Sequence, residues 1–183
     1  MTCSLVVNSK SGNTRMVSGA IKRTLQAAGV EFVHAAALSD DADADQVALE
    51  AQGACAADTV LVGFWCDKGA CTPSVAALLS ALHGKRVFLF GTCGFGASEE
   101  YFRQIIDRVT SNLAEDAELA GWAMCQGKMG PAVKQRYEAM LEQDPENARF
   151  KMLLDNWAAA KDHPTKEDLD NMAAAAKKAV LGE

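Results

Sequence analysis

A short run of small polar residues near the amino end of the chain has the chemistry of an anion-binding loop. The apolar stretch Leu5-Val6-Val7 leads into this run, and a helical pattern begins directly after it. The first backbone N–H groups of a helix lack partners and carry positive partial charge, so they attract anions. Hydroxyl groups add donors, and a glycine lets the backbone approach closely. The residues predicted to hold a phosphate are Ser9, Lys10, Ser11, Gly12, Asn13 and Thr14.

The spacing in the chain excludes two familiar nucleotide loops. A nucleoside-triphosphate loop needs G-x-x-x-x-G-K-[ST], and a dinucleotide loop needs G-x-G-x-x-G. Neither pattern is present, because Gly94-Phe95-Gly96 is followed by Glu99 where the third glycine would stand. The alternative to a phosphate site is an ordinary strand-to-helix turn, capped by Asn13 or Thr14.

Composition and charge narrow the class of protein. A chain of 183 residues with 49% hydrophobic content predicts one domain spanning 1–183. The formal net charge of −6 argues against nucleic acid or an anionic membrane surface as a partner. No apolar run approaches the roughly 20 residues that span a bilayer. The amino end lacks the basic region of a signal peptide, so a cytoplasmic location is expected.

The six cysteines form no C-x-x-C pair, and no histidine stands at zinc-finger spacing from them, so no metal is expected. Their simplest interpretation is reduced thiols packed as small apolar groups. Cys66, Cys93 and Cys125 differ because each lies near the end of a predicted strand. Cys93 is either packed and inert or, near a helix amino end, reactive with a lowered pKa. No G-x-S-x-G elbow occurs, and no catalytic residue is predicted.

Strands and helices alternate along the chain. Strands without polar alternation, separated by helices, predict a parallel sheet covered on both faces, in a three-layer α/β fold. Five strands fit the order 2-1-3-4-5, which places a ligand beyond their carboxyl ends. A sheet core at 1–129 and extra C-terminal helices at 130–183 are expected. Predicted strands are 5–8, 30–36, 59–65, 86–91 and 118–124, and predicted helices are 13–28, 45–54, 73–82, 98–113, 131–143, 146–161 and 166–181.

Loops at the ends of the third, fourth and fifth strands should meet at this ligand. They combine glycines with aromatic and polar side chains, which suit a flat ring that needs aromatic faces and close backbone approach. Trp65 could instead be a core residue, and Asp67 and Lys68 could instead pair at the surface. The predicted ring-side residues are Phe64, Trp65, Cys66, Asp67, Lys68, Gly69, Thr92, Cys93, Gly94, Phe95, Gly96 and Lys128.

These segments resemble flavodoxin-like FMN-binding proteins over nearly the whole chain. The run 9–14 resembles the [ST]-x-[ST]-G-[NT]-T loop that wraps the FMN phosphate. The segments 64–69, 91–102 and 125–129 resemble the F-W-x-D-K-G, G-T-x-G-F-G-x-S-x-x-Y-F and C-Q-G-K-M motifs of a bacterial flavodoxin-family group. Some members of that group are accessory flavoproteins of bilirubin reduction in gut bacteria. The resemblance implies that FMN is the cofactor, with its phosphate on 9–14 and its ring between the third- and fourth-strand loops.

Two classes of function follow. The first is a redox flavoprotein that passes electrons to a reductase partner, since no second nucleotide-binding module is present. The second is a protein of the same fold that binds no flavin and acts as a partner or regulatory module. In the first class, Lys68 or Lys128 either raises the potential of the reduced flavin or is a solvated lysine at the loop rim. The C-terminal helices either form a homodimer contact or cover the sheet.

Overall fold

A five-stranded parallel sheet forms the centre of the molecule. The computed structural model describes residues 1–96 and 98–182. Its strands lie in the order β2-β1-β3-β4-β5, all neighbours being parallel, which confirms the predicted α/β fold and strand order. The strands are β1 Thr2–Asn8, β2 Glu31–Leu38, β3 Thr59–Trp65, β4 Arg86–Cys93 and β5 Glu118–Gln126.

Helices follow each strand and continue beyond the last one. Side chains of Asp43, Thr72, Ser98 and Thr165 cap four of them by accepting hydrogen bonds from first-turn N–H groups. The helices are α1 Asn13–Ala27, α2 Ala44–Ala54, α3 Pro73–Ser80, α4 Glu99–Thr110, α5 Pro131–Gln143, α6 Ala148–Ala160 and α7 Lys166–Leu181. Within the described residues, no helix has the length and apolar character needed to cross a membrane.

Strands β4 and β5 run two residues further than their apolar patterns predict. Thr92 pairs with Cys125, and Cys93 pairs with Gln126, so the ladder continues through small and polar residues. Backbone hydrogen bonding decides where a strand ends, whereas the prediction rested on side-chain hydrophobicity. The extension carries both cysteines to the edge of the sheet where a ligand is expected.

The two faces of the sheet are covered by different helices. One core combines Val6 and Val62 with the apolar sides of α2, α3 and α4. The other combines Leu5 and Leu61 with α1 and α7. Successive strand residues point to opposite faces, so both faces of the central strands are buried without polar alternation.

The packing of α7 differs from the predicted division of the chain at 129. Its buried residues Met172, Ala176 and Val180 belong to the same core as Val17 and Ile21 of α1. Helix α7 is therefore part of the three-layer core. Helices α5 and α6, which pack against each other, are the addition to it.

Candidate functional site

A cavity of about 760 Å³ opens at the carboxyl ends of β1, β3, β4 and β5. Ligand pockets in proteins commonly enclose roughly 300–1,000 Å³, so a molecule of cofactor size fits. Twenty of the residues that the structure describes line the cavity: Lys10, Ser11, Asn13, Trp65, Cys66, Lys68, Gly69, Thr92, Cys93, Gly94, Phe95, Tyr101, Arg108, Gly127, Lys128, Met129, Gly130, Val133, Arg136 and Tyr137.

At one end of the cavity, the start of α1 is open to a ligand. Gly12 stands at the N-cap position with φ 89°, a left-handed conformation that favours glycine, and it has no side chain to cap the helix. The Ser9 hydroxyl oxygen accepts a hydrogen bond from the Arg15 N–H at 3.3 Å. The first backbone N–H groups of a helix have no partner within the helix, so those that no side chain engages can bind an anion.

Asn13 joins this loop to the end of β5. Its Nδ2 donates to the Lys128 carbonyl oxygen at 2.9 Å and to the Ser11 hydroxyl at 3.1 Å. Its Oδ1 is buried and has no hydrogen-bond partner. A buried acceptor of this kind needs a donor. The hydroxyl groups of a sugar-alcohol chain would supply one.

Thr14 and Thr92 fix the start of α1 to the end of β4. Their hydroxyl oxygens lie 2.8 Å apart, and both side chains are buried. Thr14 thus supports the loop from beneath and does not line the cavity. Thr92 supports the loop and also lines the cavity.

Trp65 forms an aromatic wall whose orientation is fixed from outside the cavity. Its indole N–H donates to Asp40 Oδ1 at 2.8 Å, and the same oxygen accepts from Asn8 Nδ2 at 2.8 Å. The ammonium group of Lys10 lies 4.6 Å from the centre of the Trp65 ring, within the range of a cation–π contact. Asp40 follows β2 and was not predicted, because a turn aspartate has no distinctive pattern.

The loop after β3 contains a tight two-residue turn that presents Lys68. Asp67 and Ala70 exchange both backbone hydrogen bonds, at 2.9 and 3.0 Å. Lys68 and Gly69 between them have φ values of 50° and 84°, as a type I′ turn requires. Arg108 of α4 donates to the Gly69 carbonyl oxygen at 3.0 Å and so brings a second cation to this rim.

The floor of the cavity holds two thiols and a phenol. The Cys66 thiol and the Tyr101 hydroxyl lie beside the Cys93 sulfur and influence its pKa. As a neutral thiol, Cys93 donates to the Phe95 carbonyl oxygen, 3.2 Å away. The Phe95 and Tyr101 rings meet edge to face, with centroids 5.8 Å apart.

These contacts separate the acidities of the three groups. The adjacent Cys66 thiol, together with the Phe95 backbone and the Tyr101 hydroxyl, stabilises the Cys93 thiolate against burial and lowers its pKa to about 7. The Cys66 pKa is raised, because the neutral form of this thiol interacts more favourably with Cys93 and because the side chain is partly buried. Burial raises the pKa of Tyr101 to about 12, so its hydroxyl is a donor at neutral pH.

Helices α5 and α6 build the remaining wall. Val133, Arg136 and Tyr137 lie on the side of α5 that faces the cavity, at the i, i+3, i+4 spacing of one helix face. On α6, Asn156 accepts from the Gly96 N–H at 2.9 Å and donates to the Gly94 carbonyl oxygen at 2.8 Å. The added helix pair therefore holds the β4 loop against the cavity. The helical spacing on α5 was the available signal for this wall.

The charge of the cavity is opposite to that of the chain. Among the described residues that line it there is no carboxylate, although the whole chain carries a formal charge of −6. Five basic side chains line it: Lys10, Lys68, Arg108, Lys128 and Arg136. The cavity favours an anionic ligand.

Six predicted site residues lie outside the lining. Ser9, Gly12 and Thr14 belong to the start of α1, Asp67 closes the turn around Lys68, and Gly96 is bound by Asn156. Phe64 is fully buried and faces Gly91, where an added Cβ would lie 2.7 Å from its ring. The structure assigns Phe64 to the core, because β3 is still covered on both faces at that position.

The fold and the basic cavity beyond the strand ends define a flavodoxin-like redox protein. Residues 4–177 match the model of the flavodoxin domain family, and the chain belongs to this family. A flavin-binding role is implied by that membership.

Relatives and solved structures agree with this assignment. The chain is 34% identical over 176 residues to the flavodoxin-like domain-containing protein BilS of Clostridium symbiosum (strain WAL-14163), covering 92% of this chain and 90% of the relative. It is 32% identical over 124 residues to BilS of Clostridioides difficile (strain CD3), covering 68% and 70%. Oxidised flavodoxin 2 from Bacillus cereus shares the fold, with a TM-score of 0.56 and 17% identity over 99% of both chains.

Proposed function

We propose that this protein binds FMN and transfers electrons to a partner reductase. The proposal rests on one observation: a cavity of about 760 Å³, lined with basic and aromatic side chains, joins the start of α1 to the ends of β3, β4 and β5. A ligand that is anionic at one end and flat at the other matches this arrangement. Bound FMN would supply reversible uptake and release of electrons by its ring.

The residues of the first loop are suited to the phosphate. Ser11 and Asn13 line the cavity beside the start of α1, and Lys10 adds a positive charge. The buried Oδ1 of Asn13, without a partner in the structure, is suited to a hydroxyl of the ribityl chain. These groups fit the cofactor through donors, charge and an unpaired acceptor.

The end of the cavity at the β3 and β4 loops is suited to the flavin ring, because it can exclude water from two sides of the ring and can stabilise negative charge on it. Trp65 and Phe95 are the aromatic walls, and Gly94 allows close backbone approach. Lys68, Lys128 and Arg136 bring cations to this region. A cation near the ring stabilises the anionic reduced flavin, which favours transfer of two electrons over the low-potential transfer of a simple carrier.

The finer assignment concerns the partner. Identities of 34% and 32% to proteins named BilS, together with the resemblance of the 64–69, 91–102 and 125–129 segments, support an accessory role beside a reductase of bilirubin or a related tetrapyrrole. We propose a cytoplasmic location for this reaction. A homodimer is proposed as an assembly to be tested by light scattering.

Titration of the full-length protein with FMN, followed by flavin fluorescence, tests the proposal. We expect one FMN per chain, and riboflavin should bind at least tenfold more weakly, because it lacks the phosphate and each charge-assisted hydrogen bond contributes about 1.5–3 kcal/mol. Ser11→Ala should weaken FMN binding and leave the affinity for riboflavin unchanged. Ser80→Ala, an exposed serine of α3 outside the cavity, is the control.

Protein that remains colourless and does not quench added FMN would overturn the proposal and would support a partner or regulatory module instead. Equal affinities for FMN and riboflavin would reject the phosphate loop while retaining a flavin site.

A further inference from the structure

Two cysteines on the cavity floor are placed as neighbours by the sheet. Trp65 of β3 pairs with Thr92 of β4, and the Cys66 N–H donates to the Thr92 carbonyl oxygen at 2.9 Å. One further step in this register sets Cys66 beside Cys93. Neighbouring strands lie about 4.8 Å apart, and disulfides join Cα atoms about 4.4–6.8 Å apart, so the backbone spacing suits a bond.

The two side chains lie on the same face of the sheet. Cys93 belongs to the core under α2, α3 and α4, and Cys66 packs against that core. Both residues also line the cavity, where Cys66 is half-buried and Cys93 is 4% exposed. In the structure both are free thiols.

We infer that Cys66 and Cys93 are a redox-active dithiol, which a peroxide oxidises reversibly to a disulfide inside the cavity. This site is separate from the proposed flavin chemistry, because the oxidant is the peroxide and no flavin takes part. It makes the cavity a place of covalent modification as well as of ligand binding.

The surroundings favour Cys93 as the sulfur that attacks first. The adjacent Cys66 thiol, the Phe95 backbone and the Tyr101 hydroxyl lower the pKa of Cys93 to about 7 against the effect of burial, so a large fraction is thiolate at neutral pH. Cys66 keeps its proton and stands next to the product of the first step, as a resolving cysteine must.

The reaction balances with one peroxide molecule. The Cys93 thiolate attacks a peroxide oxygen, the O–O bond breaks, and the leaving hydroxide takes a proton to become water. The resulting sulfenic acid is attacked by the Cys66 sulfur, which forms the S–S bond and releases a second water with the Cys66 proton. Two thiols are oxidised by two electrons, and one peroxide is reduced to two waters.

Thiol mapping of the full-length protein tests the inference. The reduced protein, without added flavin, is treated with one equivalent of hydrogen peroxide, and free thiols are then alkylated. We expect two of the six cysteines to become resistant to alkylation, and peptide mapping to find a bond between Cys66 and Cys93. Dithiothreitol should restore both thiols.

Cysteine variants distinguish a specific Cys66–Cys93 disulfide from non-specific oxidation of thiols. Cys66→Ser should leave Cys93 as a sulfenic acid that dimedone captures, and Cys93→Ser should leave Cys66 alkylatable after peroxide. Cys71→Ser removes a half-buried thiol of the same loop that lies outside the cavity lining, and it should retain the bond.

Thiol mapping of the wild-type protein tests the inference even if a variant does not fold. A bond between any other pair, loss of Cys93 alone with Cys66 still free, or six alkylatable thiols after peroxide would each overturn the inference. None of these results depends on whether the protein binds FMN.

Discussion

The contact between Asn156 of α6 and the β4 loop gives a prediction whose size follows from the structure. Asn156→Ala removes two short hydrogen bonds, to the Gly94 carbonyl oxygen at 2.8 Å and from the Gly96 N–H at 2.9 Å. It also removes a longer one, at 3.3 Å, from Gln126 Nε2, which keeps the Gly94 carbonyl oxygen as an acceptor. A typical hydrogen bond contributes about 0.5–1.5 kcal/mol net, so the free energy of unfolding should fall by about 1–3 kcal/mol. For a chain of this length, 1 kcal/mol shifts Tm by roughly 2–4 °C. A loss of about 2 kcal/mol therefore lowers Tm by roughly 4–8 °C.

The same substitution should also weaken binding of the ligand. Gly94 and Phe95 line the cavity, and without Asn156 they must be ordered when the ligand binds. If the whole of about 2 kcal/mol is transferred to binding, Kd for FMN rises by roughly 30-fold, which is the upper limit. Urea unfolding gives the stability, and isothermal titration gives Kd.

A second alanine substitution on α6 is the matched control. Lys151 is exposed, and its ammonium group forms a surface ion pair with Glu146, at 3.5 Å. Lys151→Ala should change the free energy of unfolding by no more than about 0.5 kcal/mol. If Asn156→Ala has the same urea midpoint and the same Kd as the wild type, α6 does not hold the β4 loop and the reasoning is refuted.

Three further predictions concern buried polar groups and charge. Thr92→Val leaves the buried Thr14 hydroxyl without its partner, so urea unfolding should show a loss of about 1–3 kcal/mol; an unchanged midpoint would contradict this. Lys128→Met should lower the potential of the reduced flavin, since a cation at contact distance contributes about 1–4 kcal/mol. Lys134→Met, outside the cavity lining, should leave the potential unchanged in a redox titration. The lowered Cys93 pKa means that thiolate is lost as pH falls, so its alkylation rate should be half-maximal near pH 7, and a half-point near 9 would reject the assignment.

The sheet and the position of the cavity were predictable from the sequence. Central strands buried on both faces read as continuous apolar runs, and β3 begins and ends where the pattern of 59–65 indicates. Once the strand order is fixed, the carboxyl ends of β1, β3, β4 and β5 must meet, so residues as distant as Ser11 and Lys128 come to one cavity.

The exposure of single residues at the strand ends was not predictable in the same way. Phe64 and Trp65 are adjacent aromatic residues in one strand, yet Phe64 is fully buried and Trp65 lines the cavity. The covering layers end between these two positions, and hydrophobicity cannot locate that point. The role of Asn156 was likewise hidden, because it depends on contacts with a loop about 60 residues away.

The charge of the cavity shows why whole-chain properties are a weak guide to a site. A net charge of −6 argues against anionic surfaces as partners, and that argument concerns the exterior. The basic residues of the cavity come from five separate elements or their following loops, so no basic cluster is visible along the sequence: Lys10, Lys68, Arg108, Lys128 and Arg136. Topology alone brings them together. An acidic exterior with a basic cavity repels bulk anions and nucleic acid, while a small anion that reaches the strand ends is attracted. Selectivity for a small anionic ligand is therefore a property of the fold as well as of the side chains that touch it.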